Sequence, residues 1–391
     1  MKKLTLRNVR KQRKGSIVVL SAFLMVAFVG FVAFAVDLGY LQLAKTEMQQ
    51  SADAAALAAC SELIDDEALS GHPDLSDEIA SARAASVRYA ALNRVCAGAT
   101  VVDSNTGNAT TGDVVIGNLA DPSDRSSLMT YTNPDGYNSV QVTVRKTSAM
   151  NGEIPYFFGR VFGLGSAPGQ ASSTAALLNN ISGFRMPADD SNMLGILPFA
   201  LDKQTWDGLL AGGGSDNWCW DTSNSQVHGG ADSIREVNLY PQGTDSPGNR
   251  GTVDIGGSNN STADIARQIV YGISEADLAH FENSQISFDA SGKLYLNGDT
   301  GISAGVKDEL ASISGQPRII PIFSSVSGPG NNAQYTIVAW GGVRIMEVVL
   351  TGPMSSKRVI IQPCKMVTTG AIANTGAQSS NFVYSPVWLV R

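Results

Sequence analysis

The run Ile17–Val36, IVVLSAFLMVAFVGFVAFAV, and its continuation over 37–66, DLGYLQLAKTEMQQSADAAALAACSELIDD, decide the architecture. The first run holds no charge and one weakly polar side chain, Ser21. At the rise of a helix these 20 residues span roughly 30 Å, the thickness of a bilayer core. Lys2, Lys3, Arg7, Arg10, Lys11, Arg13 and Lys14 precede it and Asp37 follows. That asymmetry predicts a cytoplasmic N-terminus with residues 38–391 outside. The competing reading is a cleaved secretory signal, for which Ala33 and Ala35 supply a small-x-small pattern. The apolar run is longer than an ordinary signal core, so a retained single-pass anchor is the expectation.

No proline interrupts the continuation. Leu41, Ala44, Met48, Ala52, Ala55 and Ala58 recur at three- and four-residue spacings, while Lys45, Glu47, Gln49 and Gln50 fall mostly off that stripe. The spacing predicts one helix from about residue 16 to about 66, roughly 75 Å long. Its first half faces lipid and its second half is amphipathic. An alanine stripe lets another helix come close, so Leu41, Met48, Ala52, Ala55 and Ala58 are the candidates for helix association, within this chain or between subunits. Asp37 and Gly39 are expected to set the membrane exit, with Tyr40 as the interfacial aromatic. Gly71-His72-Pro73 ends the segment. A second helix follows, capped by Asp74 or Ser76, with Ala80, Ala84, Val87, Ala91 and Val95 as its apolar stripe, ending near Cys96.

Composition then changes. The first hundred residues hold twenty alanines but only five of the 40 glycines. Beyond them Gly, Ser, Asn and Thr surround short β-branched runs, so the class is α+β with a β-rich body. The expected organisation is a basic arm (1–15), a transmembrane helix (16–37), an Ala-rich helical region (38–99), a small β module with an aromatic helix (100–180) and a Gly/Ser-rich β domain (181–391). Strands are expected at 100–103, 113–119, 138–146, 317–326, 334–352 and 357–364, and short helices at 263–273 and 302–313. In IPYFFGRVFGLG (154–165), Phe157, Phe158, Val161 and Phe162 share a helical face. That face packs in the core or dips into the bilayer surface, and core packing is the expectation.

Charge narrows the partners. Seven of the 28 basic residues and none of the 35 acidic ones precede position 15, so the arm carries +7 and the remainder −14. An acidic body argues against nucleic acid. No strong catalytic or metal signature is read, and no cofactor is implied. Asp221-Thr222-Ser223-Asn224-Ser225 matches the D-x-S-x-S string of a metal-ion adhesion site, but Asp216-Asn217-Trp218-Cys219-Trp220 before it is a poor buried strand, so a turn is expected. Asp299-Thr300-Gly301 matches the aspartic-protease triplet without a second copy. His72, His228 and His280 stand alone, and the Gly-rich stretch 241–258 lacks the lysine of a phosphate loop. Four cysteines outside the cytoplasm allow three pairings. Cys60–Cys96 and Cys219–Cys364 are the economical choice, although a simple helical hairpin would hold the first pair about 18 Å apart.

Lys14-Gly15, Val36-Asp37-Leu38-Gly39-Tyr40 and Gln50-Ser51-Ala52-Asp53-Ala54-Ala55-Ala56-Leu57-Ala58 together resemble the N-terminal segment of TadG-like proteins of the Tad (Flp) pilus-assembly system. QVTVRK (141–146), PYFFGRVFG (155–163) and ASSTAALL (171–178) are similar to later stretches of that family. The resemblance implies a single-pass protein of the bacterial inner membrane, its bulk periplasmic, with the lipid bilayer and other pilus-assembly or pilin-like proteins as partners. It supplies no catalytic residue. Type IV prepilins carry Glu five residues after the cleavage-site Gly; here that position is Leu20, so an unprocessed anchor is expected. The expected function is a non-enzymatic assembly component. The alternative is a membrane-tethered adhesion protein whose C-terminal domain binds a cation or glycan.

Overall fold

The computed structural model of the protein describes residues 16–64, 67–71, 74–187, 194–244, 246–257, 261–298 and 304–390. Helix α1, Ser16–Ser61, is one unbroken rod of 46 residues. It has no proline, and its two glycines, Gly30 and Gly39, cost about 1 kcal/mol each, which a rod this long absorbs. Its halves differ in environment. Between Ile17 and Val36, Ala33 alone is buried and Gly30 half-buried. From Ala44 to Cys60 one face is fully covered. Helix α2, Ser76–Leu92, folds back along that covered half.

Four strands complete the N-terminal unit: β1 Val114–Gly117, β2 Ser139–Lys146 and β5 Gly169–Ala176 pair in that order, and a final strand, Trp388–Leu389, adds to the free edge of β5. Between β2 and β5 lies a small hairpin of β3, Ile154–Pro155, and β4, Ser166–Ala167. The alternation of Val140, Val142 and Val144 turns one face of β2 toward α1. Helix and sheet close a core of Ala44, Met48, Ala52, Ala55, Ala56, Ala59 and Cys60 against those valines and Ala175. The small side chains bring the rod onto the sheet. A Cβ at Gly169 would fall 2.9 Å from Met48 Cε, so glycine there makes room for the methionine.

The larger unit is built on a twisted mixed sheet. Pro317–Ser327 and Gln334–Val349 form its long central hairpin; Arg358–Pro363, Val237–Tyr240 and Leu201–Asp202 extend it, and Leu294–Asn297 and Ser380–Asn381 pair with the strand 334–349. Ile320 and Ile322 face one core, with Trp206, Ile265 and Leu310 from three short helices. Ile319, Phe323, Ile337 and Trp340 face a second. The two units share chain segments: Tyr384 and Val387 pack in the N-terminal core, and Ala68 and Leu69 pack on the larger unit.

Several expectations shift. The α2 stripe is rotated: Ala80 and Ala84 are exposed, while Ala82, Ala85, Ser86 and Ala90 are buried. Arg83 turns inward with them, donating to the carbonyls of Ser104 and Val114 and to Asn108 Oδ1. Apolarity hardly separates one Ala/Ser face from another, and the polar bonds of Arg83 choose between them. Residues 100–103 form no strand, whereas Trp218–Asp221, in a stretch expected to make a poor buried strand, pairs with Gln226–Gly229 as a two-stranded hairpin. The aromatic segment is a hairpin with one short 3₁₀ turn, Gly159–Phe162, and it is not core: Phe157 and Phe158 are exposed, as are Val161 and Phe162.

Candidate functional site

The site begins where the bare half of α1 passes into its covered half. Asp37 sits at that boundary and is 7% exposed. Its Oδ1 accepts the backbone N–H of Phe157 at 2.7 Å, its Oδ2 accepts that of Gly159 at 2.7 Å, and the N–H of Phe158 lies 3.2 Å from both. Three successive amides converging on one carboxylate form an anion nest. Charge-assisted bonds of this kind are about twice as strong as neutral ones. The tip of the β3–β4 hairpin is thereby clamped to the helix. One turn on, the Tyr40 ring meets Phe157 edge-on at 4.9 Å. Glu47 Oε2 accepts the backbone N–H of Cys96 at 2.7 Å, tying the loop after α2 to the same stretch. Gly39 has open space where a side chain would stand, so no contact requires glycine there.

The stripe named for helix association is occupied by this chain. Met48, Ala52 and Ala55 are buried under the sheet and α2, Leu41 is half-buried at the edge of that core, and Ala58 is half-buried to one side. Ser51 Oγ donates to the Ala90 carbonyl at 3.1 Å, a contact that two small-residue faces permit. Ala52 and Ala55 are therefore already covered within this chain.

The cysteines are free. Cys96 is tied to Glu47, thirteen residues from Cys60 along α1, or about 20 Å. The helical hairpin keeps them apart, as its simple geometry requires. Cys60 lies under the sheet with its Sγ 3.5 Å from the Asn138 carbonyl, and burial pushes its thiol well above the usual range. Cys364 Sγ receives a hydrogen bond from Arg344 Nη2 at 3.0 Å; burial raises its pKa and Arg344 partly opposes that. The same guanidinium stacks on Trp220 at 4.4 Å. Alternation along the strand points Cys219 away from that face, so Cys219 and Cys364 are not paired.

The metal-like string is the turn of the 218–229 hairpin. Asp221 accepts from the Ser223 hydroxyl at 2.6 Å, the Ser223 amide at 2.8 Å and Asn224 Nδ2 at 2.7 Å. Those donors, the Ser223 hydroxyl first, lower its pKa to about 2. An acidic group that the sequence reading missed, Asp216, Asp232 and Glu236, lies nearby with carboxylate oxygens within 4.8 Å of one another. Its oxygens already serve as acceptors: Glu236 binds Ser215 Oγ and the amides of Asn217 and Trp218, Asp216 binds the Asp232 amide, and Asp232 binds Ile234 N and Gln362 Nε2. Burial raises the Glu236 pKa. The group ties the hairpin to the main sheet. A cleft of about 470 Å³ between the units is lined by amides, including Asn118, Asn138, Asn180 and Asn374. Those amides bond backbone carbonyls on their own side of the cleft: Asn118 that of Gly136, Asn138 that of Leu119, Asn180 that of Asn374 and Asn374 that of Ala377.

Asp299-Thr300-Gly301 and His72 lie outside the described residues. So does Ser303 of Gly301-Ile302-Ser303-Ala304-Gly305, a string with nucleophile-elbow spacing that the sequence reading passed over.

Comparison with known families follows this geometry. The family model for TadE/G-like Flp pilus-assembly proteins matches residues 15–71, which hold α1 with Asp37 and the stripe. A Tad-like Flp pilus-assembly model matches 54–175, which holds α2, the strands β1 and β2, nearly all of β5, and the clamped hairpin. Over residues 15–175 the chain is thus similar to TadE/G-like Flp pilus-assembly proteins. The elements that the two matches cover, α1 with α2 and β1, β2 and β5, are those that close one core. No curated protein and no solved structure matches the chain. Beyond residue 175 the chain carries a large β-rich unit that neither family model spans.

Proposed function

We propose that the protein is a single-pass, membrane-anchored, non-enzymatic structural component of a Tad (Flp) pilus or secretion apparatus. The observation that carries this reading is the division of α1. One rigid rod has an apolar half that the protein leaves bare, then a half buried in the unit that matches the pilus-assembly family. A bare apolar surface 20 residues long has a large cost in water and none in a bilayer. By the positive-inside rule the basic arm supports an N-terminus in the cytoplasm and β-rich units in the periplasm. Because the rod is continuous, a force or displacement on the anchor reaches the sheet without a flexible joint. The partners are the lipid bilayer and other pilus-assembly proteins, met through exposed faces such as that of Leu43, 51% exposed on the outer side of α1.

A photo-crosslinker in place of Leu43, activated in cells with an intact pilus system, tests the assembly role. The expected products join this chain to Tad or pilin-like subunits, identified by mass spectrometry. Pilus assembly that continues unchanged after deletion of the whole gene, with no such product, would refute the reading.

A further inference from the structure

The hairpin that Asp37 holds leaves its apolar residues uncovered. Phe157 is 59% exposed, Phe158 43%, Val161 80%, Phe162 74% and Leu164 60%. These are consecutive or nearly so at the tip of a two-stranded turn, and among the described residues only α1 touches their edge. The hairpin does not stand at an arbitrary place. It lies against the apolar half of α1, where Gly30, Ala33 and Phe34 share a small cavity of about 140 Å³ with Phe162 and Leu164. Gly30 and Ala33 are the residues of the apolar run that α1 does not leave bare, and they face this hairpin. Gly30 is seven residues before Asp37, about 10 Å along the rod toward the basic arm.

We propose that the 154–167 hairpin is a second membrane-seated element whose tip inserts among the acyl chains of the outer leaflet beside α1. This rests on the reading of α1 as an anchor and adds to it. If residues 17–36 span the hydrocarbon, a tip that reaches the level of Gly30 lies inside the same layer. Its composition suits that place: five apolar side chains point outward. Arg160 is the one charged residue in 154–167, with a stem long enough to reach headgroup phosphates from below. Clamping by Asp37 uses only the backbone of 157–159, so the exposed side-chain surface of the tip stays available to lipid. It also satisfies three amides that would otherwise enter the membrane unpaired. A rod crossing alone can rotate and tilt; a rod with a seated hairpin has a fixed rotation about its axis, and so a fixed orientation of the periplasmic body.

Tryptophan quenching by lipid brominated along the acyl chain tests this in the full-length chain, reconstituted in phosphatidylcholine vesicles. The five native tryptophans lie at 206 or beyond and give a background to subtract. Three reporters are compared: Phe162→Trp in the hairpin, Phe23→Trp in the apolar run, and Leu128→Trp in an exposed loop of the body. Brominated lipid is expected to cut the added emission of Phe162→Trp by about two-fold or more, as it does for Phe23→Trp, and to leave Leu128→Trp unchanged. Val161→Trp repeats the measurement next door and must agree, so a folding fault in one variant does not decide the result. If Phe162→Trp and Val161→Trp are unquenched while Phe23→Trp is quenched, the hairpin faces water or a partner protein: the proposal fails and the anchor stands. If Phe23→Trp is unquenched too, the anchor reading fails and takes this proposal with it.

Discussion

Asp37 shows how one side chain fixes an arrangement. A carboxylate has two acceptor oxygens and no hydrogen, which suits three converging N–H groups. In Asp37→Asn one oxygen becomes an NH₂ that faces an amide hydrogen, so at least one bond turns repulsive and the others lose their charge. The expected result is easier local opening of the hairpin, read as faster amide exchange at Phe157 and Gly159. Unchanged exchange there would show that the clamp does not hold the hairpin. Asp277 offers a pH-dependent counterpart in the larger unit. Burial alone would raise its pKa, but the Ser274 amide and hydroxyl and Arg267 outweigh that and leave it below the usual carboxylate range. A depressed folded pKa means that the contribution is present above the unfolded value of about 3.9 and is lost as pH falls through the lower folded one. Asp277→Asn is expected to destabilise by about 1–2 kcal/mol at neutral pH. The gap to wild type should shrink below about pH 4 in denaturant titrations. A gap independent of pH would contradict the assignment.

Helix α1 was legible in the sequence to within a few residues of its end, because a proline-free run of apolar and then alanine-striped residues has few other solutions. What covers the stripe was less legible. Spacing showed that Met48, Ala52 and Ala55 share a face; it did not say whether that face meets this chain's sheet or another subunit. The structure gives it to β2, β5 and α2. In α2 even the face was misread, since Ala80 and Ala84 are chemically equal to Ala82 and Ala85 and only the bonds of Arg83 separate them. The hairpin tip departs from the expectation for another reason: five apolar residues in a short span look like core, and their spacing does not show that the Asp37 clamp holds them outward. Packing of the stripe yields a sharp expectation. Ala55 is fully buried, so Ala55→Leu must push the rod off the sheet and is expected to cost about 1–3 kcal/mol. Leu43→Ala on the exposed side is expected to stay within about 0.5 kcal/mol. Thermal or denaturant unfolding of the full-length protein in detergent checks both, and equal effects would put the stripe outside the core.

Taken as a molecule, the protein joins two units by more than a linker. The chain leaves the first after β5, builds the large sheet, and returns Tyr384, Val387 and the strand 388–389 to the first core. That return had no signal in the sequence, because a two-residue strand at a terminus has no periodicity to read. Strand order in the large sheet was hidden likewise: the runs at 317–326, 334–352 and 357–364 were visible as strands, but their neighbours Leu201–Asp202 and Ser380–Asn381 were not. Because Tyr384, Val387 and the strand 388–389 pack in the first unit, the proposal treats the body as one head on one rod, and the side of the membrane on which it lies decides the proposed role. Protease added to spheroplasts that carry the full-length chain addresses this directly. The account predicts that the body is digested while a membrane-embedded fragment, beginning at the intact basic arm and containing 17–36, survives and resists alkaline extraction. A body protected until the cells are lysed, or a mature chain recovered soluble without its first forty or so residues, would contradict it.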